Sequence, residues 1–135
     1  MKTLLLVAGG RSGSDFFQGL LDGHSQILHF PGKLRIDKDF QEMISLDAPD
    51  LISKRFISLY PEYFNSKLGI FERHNRLGKR KNKFYKVYKK KIVENFSKLI
   101  KKKKKLSKIE ILKNLHIAYS LAKEEKKCEK KILFI

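Results

Sequence analysis

Seven residues near the start of the chain, Gly9-Gly10-Arg11-Ser12-Gly13-Ser14-Asp15, combine the groups that hold a phosphate. A glycine-bearing turn that opens a helix presents backbone N–H groups without helical partners, and the helix dipole adds partial positive charge there. Gly10 and Gly13 let the backbone come close to an anion, Arg11 can donate a planar fork of hydrogen bonds, and Ser12 and Ser14 add hydroxyls. The competing reading is that the glycines serve only a tight strand-to-helix turn. An arginine and two serines packed into five residues favour the anion site.

Three ligand classes compete for such a loop. The nucleoside-triphosphate loop needs a lysine and a hydroxyl after its last glycine, but Gly13 is followed by Ser14-Asp15. An ATPase or kinase is therefore disfavoured. The dinucleotide fingerprint is approached by Ala8-Gly9-Gly10-Arg11-Ser12-Gly13, with alanine in place of its first glycine, and Asp37 lies at a distance suited to a ribose contact. No clean strand ends at Asp37, which weakens that match.

The third class fits best. Gly10-Arg11-Ser12-Gly13-Ser14-Asp15-Phe16 resembles the 5′-phosphosulfate loop of sulfotransferases that use 3′-phosphoadenosine-5′-phosphosulfate (PAPS). Leu21-Asp22-Gly23-His24-Ser25-Gln26-Ile27 resembles that family's continuation after its first helix, and the likeness is specific over residues 4–32. The resemblance implies that Arg11 touches the phosphosulfate and stabilises charge on the leaving phosphate. It implies that Gly10, Ser12, Gly13, Ser14 and Asp15 form the cofactor cradle, with no metal required. Sulfuryl transfer is an in-line displacement, and positive charge at the bridging oxygen lowers its barrier.

Two departures stand against the pattern. Asp15 occupies a position where the family has a hydroxyl residue, and a carboxylate there repels a phosphate unless it turns away. The family's second segment, which holds the 3′-phosphate with an arginine and a serine, has no counterpart here; it is expected after a strand at Ile132–Ile135. The acceptor-activating base is also unmatched. The implied acceptor is a hydroxyl or amine, a carbohydrate among the candidates.

The elements that must position this loop read as follows. Thr3 to Ala8 is a continuous apolar run suited to a strand buried on both faces. Ser14 to Asp22 reads as a helix with Phe16, Phe17, Leu20 and Leu21 inward and Gly23 as its stop, and Gln26 to Phe30 as a short strand ended by Pro31-Gly32. Helices are expected over Asp37–Leu46, from Asp47-Ala48-Pro49-Asp50 to Tyr60, and over Lys83–Lys103 with Phe84, Tyr88, Ile92, Phe96 and Leu99 inward. A basic loop covers residues 61–81, and Lys101 to Lys105 repel one another as a link. Ser107-Lys108-Ile109-Glu110 is a capping box opening a helix with Ile109, Leu112, Leu115, Tyr119 and Ala122 inward. Ile132 to Ile135 reads as a second core strand.

The expected fold class is therefore α/β, a P-loop-like parallel sheet with a strand–loop–helix start and a large helical segment between its first two core strands. One partial domain is expected: a cofactor-loop unit at 1–32, a helical segment at 33–127 and the second core strand at 132–135. An incomplete sheet leaves an edge open, so the chain reads as the N-terminal part of a larger sulfotransferase-like protein with little activity alone.

Size and charge bound the alternatives. At 135 residues with 41% apolar content, the chain suits a single core. Its one cysteine, Cys128, excludes an internal disulfide framework and fits a reduced, cytoplasmic setting. The apolar run Leu4 to Ala8 is shorter than an export signal needs, and no run approaches a membrane span. The net charge is +17, and between Lys79 and Lys108 the sole acid is Glu94. Residues 79–108 are thus a candidate surface for nonspecific polyanion binding, against the plainer reading of a solvated helix face. A non-enzymatic, basic helical polyanion-binding protein and a dinucleotide-binding fragment remain the alternative readings of the whole.

Other residues carry weaker signals. His24 sits where it either lines the site or bonds to backbone, and His29 falls near the sheet end. Glu72-Arg73-His74-Asn75-Arg76 is a dense polar group, with His74 a candidate base. His116 falls between inward and outward helix positions, and the stripe Phe84, Tyr88 and Phe96 reads as core rather than as a stacking platform.

Overall fold

The computed structural model describes residues 2–4, 6–7, 13–21, 24, 26–65, 87–101, 106–123 and 132–134. In chain order these form β1 (Lys2–Leu4), α1 (Ser14–Leu21), β2 (Ile27–Leu28), α2 (Lys38–Ile44), α3 (Pro49–Leu59), a single 3₁₀ turn (Pro61–Tyr63), α4 (Lys89–Ile100), α5 (Lys108–Ala122) and β3 (Ile132–Phe134). The core lies among the helices. α2 packs on α3, α3 on α4 and α4 on α5, while α5 also touches β2.

The buried cluster begins at Phe30 and ends at Ala122, and takes its side chains from α2 to α5 and the segments that join them. Phe56, Ile92, Phe96 and Leu115 are fully inaccessible and Phe30, Phe40, Tyr60, Tyr63 and Tyr119 nearly so. Each buried side chain of this size contributes roughly 1.5–3 kcal/mol. Three tyrosine hydroxyls reach backbone carbonyls from inside the cluster: Tyr60 donates to Arg35 (3.0 Å), Tyr63 to Lys33 (2.7 Å) and Tyr119 to Tyr63. The first two tie residues 33–35 to the end of α3 and the 3₁₀ turn, the third ties α5 to that turn, and all three satisfy groups that would be costly to bury unpaired.

The expected α/β, P-loop-like fold is therefore corrected: the described residues are mainly helical and their strands are marginal. They make a small parallel sheet in the order β1-β3-β2, pairing Lys2, Thr3 and Leu4 with Ile132, Leu133 and Phe134, and Ile27 and Leu28 with Ile132 and Leu133. A strand of two or three residues spans only about 10 Å at most, too little to found a two-sided sheet. The run expected to be a buried strand over Thr3–Ala8 yields β1 alone, exposed at all three positions, and Leu6 and Val7 lie exposed beyond it. No residue of β1 or α1 belongs to the buried cluster.

α1 also turns the other way from its apolar pattern. Phe16 and Leu20, expected inward, are 74% and 62% exposed, and Phe17 is exposed as well. The face turned to the body carries Ser14 and Gln18, and the Gln18 Nε2 donates to the carbonyls of Phe30 (3.0 Å) and Gly32 (3.1 Å). Two hydrogen bonds from Gln18 tie this helix to the segment after β2.

Local signals held where chemistry fixed them. Asp37 caps α2 by accepting from the Phe40 N–H at 3.1 Å, and Pro49 opens α3 with Asp50 in its first turn, although Ala48 rather than Asp47 stands at the cap. α4 starts at Lys89, so Tyr88 precedes the helix and stands 56% exposed, while Ile92, Phe96 and Ile100 are buried. In α5 the inward set is Ile111, Leu112, Leu115, Ala118, Tyr119 and Ala122, with Ile109 exposed. The helical residues expected at 83–86 and 102–103, the basic loop beyond Asn65 with Glu72 to Arg76, and Gly23 lie outside the described residues.

The capping box is complete: the Glu110 N–H donates to Ser107 Oγ (3.3 Å) and the Ser107 N–H donates back to Glu110 Oε2 (3.0 Å). α5 is the helix that touches both α4 and β2. Ser107→Ala should therefore lower unfolding free energy by about 1 kcal/mol, read as an earlier urea midpoint with an unchanged slope.

Candidate functional site

The glycine loop runs from the end of β1 into α1. Gly9, Gly10, Arg11 and Ser12 lie outside the described residues, so what is visible is the helix side of the site. Gly13 adopts a left-handed backbone (φ +71°), and its carbonyl accepts the Phe17 N–H at 3.0 Å. That bond makes Gly13 the residue on which the helix starts. A Cβ at Gly13 would meet nothing within 4 Å, so the need for glycine here comes from backbone angle and not from space. The N–H groups of Ser14, Asp15 and Phe16 form the first turn, where an α-helix has no carbonyl of its own to offer. Ser14 is buried at 7% exposure beside this turn, and Asp15 is its second residue.

Because β1, β3 and β2 run parallel, their C-terminal ends share one edge of the sheet. The chain leaving β1 toward the loop and His29 leaving β2 therefore depart from that same edge. His29 Nδ1 lies 2.7 Å from the Phe30 carbonyl, which can only accept, so this nitrogen carries the proton. Gln18 and His29 thus both reach Phe30, one turn of α1 away from the loop. Sequence patterning missed Gln18; the signal was Ser14 and Gln18 four residues apart, a polar stripe opposite the phenylalanines.

The remaining candidates separate cleanly. His24 Nδ1 accepts the Gln26 N–H at 3.1 Å, the backbone role that competed with a place in the site. Asp37, the residue suited to a ribose contact in the dinucleotide reading, accepts the Phe40 N–H with Oδ1 as the α2 cap. His74 and Cys128 lie outside the described residues. Among the described residues no group of three histidine, cysteine or acidic side chains gathers to hold a metal, and no helix is long and apolar enough to cross a membrane.

His116 belongs to the core. Its ring stacks on Phe30 with centroids 3.6 Å apart, Nδ1 bonds the Leu112 carbonyl at 2.8 Å, and Nε2 has no partner among the described residues. Burial pushes its pKa down from 6.5 to about 3, against the Leu112 bond that raises it, and the nearby His29 lowers it further. Burial likewise pushes Tyr60 up from 10.0 to about 12, partly offset by its bond to the Arg35 carbonyl.

The comparisons with known proteins leave the site to its own geometry. No protein-family model, curated protein or solved structure matches the chain.

The two shifted groups set a pH window for stability. The unfolded chain protonates His116 near pH 6.5 while the folded chain resists until about 3, so this contribution is complete above 6.5 and is lost as pH falls toward 3. Folded Tyr60 keeps its proton up to about 12 where the unfolded chain loses it near 10.0, so stability falls again above 10. Urea unfolding from pH 4 to pH 11 should show a plateau in stability between these limits, and His116→Phe should flatten the acid limb.

Proposed function

We propose that the loop from Gly9 to Asp15 binds the 5′-phosphosulfate end of PAPS and that the protein moves its sulfuryl group to a hydroxyl or amine acceptor. The observation that carries this reading is the start of α1 on a left-handed Gly13, directly after Gly10-Arg11-Ser12. That geometry supports an anion seated on the first-turn N–H groups, with Ser14 adjacent.

The chemistry follows from the residues. The bond between sulfur and the bridging oxygen of the 5′-phosphate breaks as the acceptor oxygen or nitrogen bonds to sulfur. The leaving adenosine 3′,5′-bisphosphate keeps the electron pair, and the acceptor gives up its proton. Arg11 is the residue assigned to the negative charge that grows on the bridging oxygen, where a fixed positive group lowers the barrier most. First-turn N–H groups and the hydroxyls of Ser12 and Ser14 hold the phosphate. A reduced, cytoplasmic setting suits a chain with one cysteine.

Asp15 contributes its backbone N–H to the phosphate in this reading, and its carboxylate takes no part. A carboxylate in the first turn of a helix interacts favourably with the dipole, and that is its assigned role. The tie between Gln18 and Phe30 fixes the direction in which the loop's N–H groups point.

Calorimetric titration with adenosine 3′,5′-bisphosphate tests the reading. Arg11→Ala should weaken binding by about tenfold or more, because a hydrogen bond to a charged group carries roughly 1.5–3 kcal/mol. NAD should bind more weakly than the bisphosphate. Equal binding of the two nucleotides, unaffected by Arg11→Ala, would overturn the assignment.

A further inference from the structure

α4 is amphipathic in an unusually one-sided way. Ile92, Phe96 and Ile100 are buried against the core. At 100° per residue, Lys90, Lys91, Lys98 and Lys101 fall within about 100° of arc on the opposite side, along roughly 16 Å of helix. Lys90, Lys91, Lys98 and Lys101 are all exposed, and Glu94 is the acid that shares their face. The ion pairs among the described residues use Lys38, Lys54 and Arg55, so Lys89, Lys90, Lys98 and Lys101 have no carboxylate partner there. A row of like charges kept together costs self-repulsion, which an anionic partner of matching length relieves.

One end of this row carries an aromatic ring. Tyr88 is half out in solvent, and Lys91 Nζ lies 5.2 Å from its ring centroid. Tyr88 opens onto a cleft of about 350 Å³ lined also by Pro61, Asn65, Lys89 and Lys90. The apolar pattern placed Tyr88 in the core stripe with Phe96. Instead it stands before the helix, 56% exposed, with the Lys91 ammonium over its ring.

We infer that this surface binds single-stranded nucleic acid, with the lysine row tracking phosphates and a base stacking on Tyr88 over the cleft. A sulfated or carboxylated polysaccharide would use the lysines equally, but its saturated rings meet a tyrosine only through C–H groups, whereas a base stacks its whole π-face. An anionic bilayer would gain from a continuous apolar face beside the lysines, and the apolar face of α4 is buried. The aromatic ring at the head of a cationic row is the arrangement that single-strand binders use. The inference is independent of the donor loop on α1.

The test is fluorescence anisotropy of a labelled oligothymidylate with the full chain, from about 50 to 200 mM salt, the range over which phosphate contacts weaken steeply. Binding should fall with salt, at a slope near −0.7 for each phosphate neutralised. Lys98→Gln with Lys101→Gln should flatten that slope by about 1.4. Tyr88→Ala should weaken binding roughly fivefold or more, the factor that a lost base stack carries, while Tyr88→Phe retains it. Thermal melts should match wild type, because Tyr88 is exposed.

Heparin and phosphatidylglycerol vesicles serve as the comparison anions. Their binding should be indifferent to Tyr88→Ala. The inference is overturned if the oligonucleotide does not bind, if Tyr88→Ala leaves its affinity unchanged, or if heparin or the vesicles show the same dependence on Tyr88.

Discussion

Phe30 is the residue on which two halves of the structure meet. Its ring contacts Phe56 (5.0 Å), Tyr63 (5.4 Å), His116 (3.6 Å) and Tyr119 (5.3 Å), which joins α3, the 3₁₀ turn and α5. Its carbonyl accepts from Gln18 of α1 and from His29 at the end of β2. The ring is therefore held by the helical core while the backbone oxygen holds the helix that begins at the glycine loop. Aromatic contacts of this kind carry about 0.5–1.5 kcal/mol beyond area burial, so the anchor is firm on its core side. On the loop side it is held by hydrogen bonds from Gln18 and His29, and Phe16 and Leu20 of α1 stand in solvent.

That division explains what could be read in the sequence. Signals closed within a few residues were legible: the Ser107–Glu110 capping box, the helix opened by Pro49, and the periodic core positions Phe56, Ile92, Phe96 and Leu115. The glycine loop was legible as a helix start, because Gly13 needs its left-handed angle whatever surrounds it. Side-chain direction in α1 was not. An apolar stripe predicts burial only where something covers it, and here the buried Ser14 and the hydrogen-bonded Gln18 occupy the inner face instead. The sheet misled for a related reason: an apolar run at Leu4–Ala8 resembles a core strand, but β1 is three residues long and exposed, while the buried cluster draws on Phe30 and the helices.

Tyr88 and His116 show the same limit in opposite directions. Both sit at helical spacing that permits either environment. Tyr88 falls one residue before α4 and is turned out, while His116 is carried inward by stacking on Phe30, a contact across many residues that no local pattern encodes. The cost of burying an imidazole is met by keeping it neutral, with one nitrogen bonded to Leu112. The proposed anion site belongs to the residues of one loop, and the basic surface to the face on which α4 places its lysines.

The central claim is that an anionic nucleotide seats on the first turn of α1, with the loop before it. Amide chemical-shift mapping of the isotopically labelled chain, titrated with adenosine 3′,5′-bisphosphate, reports this residue by residue. The account predicts saturable shifts at the amides of Gly10 to Phe16, a smaller one at the Gln18 side-chain amide, and none along α4. Shifts confined to residues 88–101, or none at Gly13 and Ser14, would contradict it.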